Sequence, residues 1–154
     1  AGTIQYTIHV DNEDIPDYTA TAYEGEDGIR TRHEFQMIGL VPGEENMVTM
    51  ELIGKRGKVL SSSSFTITMP ETMSGYPVLL DIVDVESGSE LSDGLYAMIR
   101  VGGHTGYAFF YYNAGVMRYE MVLEGYGLDR ILWYKGNMTV CASAYKIAQI
   151  NRLG

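Results

Sequence analysis

The stretch GLVPGEENMVTMELIGKRGKVLSSSSFTITMP, residues 39–70, decides the fold of the first half of this chain. Within it, residues 46–55 alternate: Met47, Thr49, Glu51 and Ile53 fall on one face, and Val48, Met50 and Leu52 on the other. A period of two is the signature of a strand with one face buried. Pro42-Gly43 supplies a turn into that strand, and KRGK (55–58) supplies a hairpin out of it. A return strand follows, with Phe65, Ile67 and Met69 sharing a face. The four serines Ser61–Ser64 could pass for a linker. Set inside this strand, they read as its solvated part. Turn, long strand, hairpin and return strand together read as the closing part of a β-sandwich resembling fibronectin type III.

The same period extends outward. TIQYTIHV (3–10) places Ile4, Tyr6, Ile8 and Val10 against Thr3, Gln5, Thr7 and His9. Strand-like runs follow at 34–40, 58–62, 64–69, 78–85, 95–101, 107–112 and 116–122. Three more close the chain at 129–135, 138–143 and 145–151, the first of them ending in a Gly136-Asn137 turn. No stretch sustains the three-and-four apolar spacing of a helix. Many short strands punctuated by glycine turns every 8 to 12 residues predict an all-β protein, as a sandwich, barrel or propeller.

Charge and aromatic content change along the chain. Residues 1–90 carry 5 basic and 16 acidic side chains, a net of −11, whereas residues 91–154 carry 6 and 4, a net of +2. Eleven of the 17 aromatic residues lie after residue 90. Such a shift indicates two structural units. The least regular segment spans 69–94, and the units are drawn as 1–85, the β-sandwich, and 86–154. The later unit has short glycine-bearing turns and aromatic strands, which predicts the opening strands of a β-propeller, truncated after about one and a half blades. A blade buries its faces only against its neighbours, so the reading frame is expected to continue beyond Gly154.

The net charge of −9 disfavours nucleic acid and anionic membrane as partners of the acidic half. No apolar run reaches the roughly 20 residues that span a bilayer. The single cysteine, Cys141 in MTVCAS, cannot form an internal disulfide and reads as a small core residue.

A family resemblance rests on the second half. GYAFFYYNAGVMRYEM followed by LDRILWYKGNMTVCASAYKIAQINRLG resembles the bacterial arylsulfate sulfotransferases. The matching features are the Asn113-Ala114-Gly115 turn, the strand Val116-Met117-Arg118-Tyr119, Gly136-Asn137, and the spacing of Ile147, Ile150 and Leu153-Gly154. Tyr119 and Asn113 depart from the family's usual Trp and Asp. GLVPGEENMVTMEL resembles the family's leading sandwich. The resemblance implies a sandwich followed by a six-bladed propeller, often dimeric through the sandwich, and an extracytoplasmic location. It also implies a chemistry in which a propeller histidine takes a sulfuryl group from an aryl sulfate and passes it to a phenol, without a nucleotide or metal. None of the family's catalytic residues maps onto this chain, so no catalytic, cofactor-binding or metal-binding residue and no cofactor is assigned here.

The remaining candidates read more simply as scaffold. His9 alternates with Ile8 and Val10 and faces outward; His33 precedes a strand; His104, in GGHTG, sits at a hairpin tip where an imidazole could approach an anion. Their spacing is not that of a metal site. Asp11, Asn12, Glu13, Asp14 and Asp17 share a loop whose oxygens could hold calcium, although not at EF-hand spacing. Glu24, Glu26 and Asp27 make a second acidic loop. GGHTG lacks the Lys and Ser/Thr of a phosphate loop. YAFFYY (107–112) could form a stacking platform, but in a blade strand such residues pack between blades.

The sequence therefore predicts the N-terminal portion of an arylsulfotransferase-like protein, inactive alone, whose open strand edges make it a homo-oligomer. The other reading is a cell-surface adhesion or carbohydrate-binding β module, in which the reading frame would instead end or enter an anchor.

Overall fold

A computed structural model describes residues 1–23, 29–81, 93–100, 105–124, 130–143 and 145–150. Among these residues there is no helix, and every ladder between named strands is antiparallel. The chain divides into two units, Ala1–Glu71 and Thr72–Gly154.

The first unit holds one four-stranded sheet. Its strands are β1 (Thr3–Val10), β2 (Tyr18–Thr21), β3 (Glu45–Ile53) and β4 (Val59–Thr68), in the order β2-β1-β3-β4. The alternation read from the sequence sets its two faces. Tyr6, Ile8, Val10, Tyr18 and Val48 are buried on one. On the other, hydroxyls pair across strands: Thr7 with Thr19 at 2.9 Å and Thr49 with Ser64 at 3.0 Å. Cross-strand Thr–Thr and Thr–Ser pairs of this kind stabilise a sheet face that meets water.

Part of the apolar face is covered by the irregular segment that precedes β3. Phe35 stacks on Tyr6 with ring centroids 6.0 Å apart, and the Tyr6 hydroxyl donates to the Ile38 carbonyl. Residues 34–40, expected as a strand, make no ladder; the segment is spent on covering the sheet. Gly39 is required there. Its φ is +103°, and a Cβ would lie 2.4 Å from the Tyr18 ring. Asn46, completely buried at the start of β3, fastens the Pro42-Gly43 turn: its amide accepts from Val41 N and donates to the carbonyls of Val41 and Glu44.

The runs at 58–62 and 64–69 form the single strand β4, with a bulge where Ile53 pairs with Val59. Ser61–Ser64 lie within it and are exposed, as expected. β2 gave no recognised sequence signal, because YTAT is too short to show a period.

The second unit contains two three-stranded sheets. One is β5 (Leu95–Arg100), β6 (Thr105–Tyr112) and β7 (Met117–Glu124), in the order β5-β6-β7. The other is β8 (Ile131–Tyr134), β9 (Asn137–Ser143) and β10 (Lys146–Ile150), in the order β10-β9-β8. They pack face to face. Ala108, Phe110 and Met121 of the first sheet share a core with Met138 and Val140 of the second, flanked by Leu95, Ile99, Ile131, Ala148 and Ile150. The β8–β9 hairpin turns on Lys135 and Gly136, both at positive φ (48° and 76°), one residue earlier than the sequence suggested. Two successive left-handed residues are what a two-residue turn of type I′ needs.

The opposite face of β5–β7 is covered by residues 76–80. Leu79 bridges Val116, and Val78 and Leu80 pack with Phe109, Tyr111 and Met117. Residues 72–80, drawn from composition into the sandwich, therefore lie in the second unit. The outward face of β8–β10 carries Leu132, Tyr134 and Ile147, all more than half exposed. Cys141 shares it, paired with Ile147 and only partly buried. It is not the core residue expected, because Met138 and Val140 take the inward positions of β9.

Candidate functional site

His9 lies on the hydroxyl-rich face of the first sheet, where its Nδ1 meets Asp17 Oδ1 at 2.8 Å. Both side chains are about half exposed. The pair clasps β1 to the entrance of β2. A His–carboxylate contact orients an imidazole, but catalysis also needs a reacting group held beside the free ring nitrogen. Exposure to water on a flat sheet provides no such enclosure. His33 is partly buried in the segment before the covering loop. His104 and the acidic loop of Glu24, Glu26 and Asp27 lie outside the described residues.

The acidic loop at Asp11–Asp17 is built as a turn. Asn12 Oδ1 accepts the Asp14 amide at 3.0 Å, the Ile15 amide donates to the Asn12 carbonyl, and Ile15 inserts into the core. Asp17 is turned to His9. Among the described residues no three His, Cys, Asp or Glu side chains converge as metal ligands would.

The aromatics of β6 are divided between two cores. Ala108 and Phe110 face the second sheet, whereas Phe109 and Tyr111 face residues 76–80. Tyr76 stacks on Phe109 at 4.5 Å, and the Tyr111 hydroxyl donates to the Pro77 carbonyl at 2.6 Å. Burial, reinforced by Glu120 and Tyr76, pushes the Tyr111 phenol up to about 12. These rings are core and not a ligand platform. Tyr107, at the end of the row, stays half-buried with the Arg100 guanidinium 6.0 Å from its centroid.

Two functional-looking residues escaped the sequence reading. Arg118 is 1 % exposed, as the extra residue of a bulge where β7 pairs Tyr119 with Phe110 but Met117 with Tyr111. A bulge re-aims the side chain it carries, and here it accompanies the near-complete burial of a guanidinium. Glu120 accepts from the amides of Met73 (2.8 Å) and Ser74 (3.1 Å), anchoring the covering segment to β7. Neither has a local signal: each contact depends on a register shift or on a segment about 46 residues away.

Among the described residues, these polar groups serve turns, clasps and anchors. No helix in them is long and apolar enough to cross a membrane. No curated protein and no solved structure matches the chain. Residues 1–70, which include the four-stranded sheet and its covering loop, match the family model of the arylsulfotransferase Ig-like domain. That stretch, a little under half of the chain, is recognised as an arylsulfotransferase Ig-like domain.

Proposed function

We propose that this chain is the sandwich and the opening propeller strands of an extracytoplasmic arylsulfotransferase. The sandwich is its structural and dimerisation module. In the intact enzyme a propeller histidine attacks the sulfur of an aryl sulfate, and the bond from sulfur to the aryl oxygen breaks. A phenol then takes the sulfuryl group from the histidine. Channel histidines and an arginine balance the sulfate charge, and no metal or nucleotide takes part.

The match over residues 1–70 carries this reading. The face-to-face packing of β5–β7 on β8–β10 through Phe110, Met121, Met138 and Val140 supports a propeller, in which each sheet buries its face on the next. The chain alone is inactive on this reading, because none of its described side chains sets a nucleophile beside an enclosed anion site.

The test is transfer from 4-nitrophenyl sulfate to phenol, followed as release of 4-nitrophenolate. The product of the complete reading frame should transfer, and residues 1–154 should not. Absence of transfer by both would sink the proposal and favour the binding-module reading.

A further inference from the structure

β4 is the open edge of the first sheet. Nine of its ten residues pair with β3 along one side, Leu60 lying at the bulge, and all ten are exposed. Among the described residues nothing pairs with its other side. Natural edge strands are usually shielded by charges, proline or a covering segment, since a row of free amides and carbonyls is a template for another strand. Val59–Thr68 contains no charge and no proline. Its bulge lies at one end and leaves Ser61–Thr68 regular. Phe65 and Ile67 stand opposite Val48 and Asn46 on the apolar side of the sheet, yet remain 41 % and 38 % exposed.

The charges at the two ends of β4 identify the partner. Lys55, Arg56 and Lys58 lead into the strand; Glu71 follows it, and Glu45 stands opposite Thr68 at the same end. All five are exposed. An antiparallel copy of the same strand brings each basic end beside an acidic end, twice, about a two-fold axis. A parallel copy would set like charges together. We propose that β4 pairs antiparallel with β4 of a second copy of this chain, making one continuous eight-stranded sheet. With the axis perpendicular to the sheet and centred on Ser63, Ser62 of each copy faces Ser64 of the other. Phe65 and Ile67 of both copies then lie on one shared apolar face. The inference rests on the dimerisation role proposed for the sandwich and assigns it an edge, an orientation and a register.

The experiment is sedimentation equilibrium of the 154-residue chain, with circular dichroism confirming that each variant is folded. The wild type should be a dimer. Lys55→Glu with Lys58→Glu should weaken it about tenfold or more, and so should Glu45→Lys with Glu71→Lys, because each sets like charges together at both ends. An equimolar mixture of these two variants should dimerise again, since both ends of the mixed pair are complementary. Ser62→Lys with Ser64→Lys, at solvent-facing positions, should give monomer. A wild-type monomer, dimers indifferent to these changes, or a mixture no stronger than its components would overturn the proposal. Indifferent dimers would place association on the second unit's sheets. These outcomes leave the sulfuryl-transfer reading intact, because transfer by the longer protein is measured separately.

Discussion

Asn46→Ala should be among the most damaging single changes in the first unit. The side chain is fully buried and makes three hydrogen bonds, at 2.8 Å from Val41 N and at 3.0 and 2.9 Å to the carbonyls of Val41 and Glu44. An ordinary intramolecular hydrogen bond contributes about 1 kcal/mol net, and a buried donor left unpaired loses about 1–3 kcal/mol. Val41 is itself fully buried, so water cannot replace the amide oxygen at its N–H without opening the turn. The carbonyl of Glu44, nearer the surface, can rehydrate. Counting a full loss at Val41 and a partial one at Glu44 gives about 3 kcal/mol. For a unit of this size that lowers the melting temperature by about 12–24 °C. Asn46→Asp should be no better: it keeps the acceptor for Val41 N–H but buries a carboxylate against two carbonyls. Urea denaturation followed by far-ultraviolet circular dichroism measures the change. A loss below about 1 kcal/mol for Asn46→Ala would show that the turn holds without its amide, and the argument would be wrong.

Gly39→Ala should destabilise the first unit by about 2 kcal/mol or more, as a Cβ at φ +103° meets the Tyr18 ring; thermal melting checks it. Lys135→Asn should stabilise the second unit by a few tenths of a kcal/mol, because Asn tolerates the left-handed φ of 48° better than Lys, and chemical denaturation reads this. Arg118→Ala should lower the second unit's stability by about 3 kcal/mol, by opening a void and stripping its contacts at the β7 bulge; the fluorescence of the single tryptophan, Trp133, reports it. Alkaline titration should unfold the chain between about pH 10 and pH 12. Burial first, then Tyr18, raises the Tyr6 phenol to about 12 against the lowering effect of its bond to Ile38, and burial likewise raises Tyr111 to about 12. Unfolded tyrosines lose their protons near 10. The native state then holds more protons than the unfolded one, so this stabilisation is complete below pH 10 and lost as pH rises through 12. Tyr6→Phe should flatten that fall.

The all-β class and most of the strands were legible because period-two alternation is a local property. TIQYTIHV and NMVTMELI already specify which side chains face the core, and the β1–β3 register keeps both assignments. What escaped depended on distant partners. Residues 34–40 have the composition of a strand, but Phe35, Ile38 and Gly39 are used against Tyr6 and Tyr18, which leaves no ladder to join. The burial of Arg118 was not legible because no local pattern announces a bulge. Cys141 looked buried because apolar neighbours on both sides do not reveal which face of β9 turns inward. That segment 72–80 belongs to the second unit was not legible because its anchor, Glu120, lies far along the chain.

The same distinction bears on the site. Several polar groups that chemistry would single out have structural partners: Asp17 with His9, Asn12 with Asp14, Glu120 with Met73 and Ser74. The first sheet offers one further surface, its edge strand β4. β4 is its clearest unspent feature, because it combines an unpaired edge, uncharged side chains and opposite charges at its two ends. Each property alone is common. Together they favour one orientation of one partner, for an antiparallel copy is the arrangement that matches backbone, apolar face and charge at once.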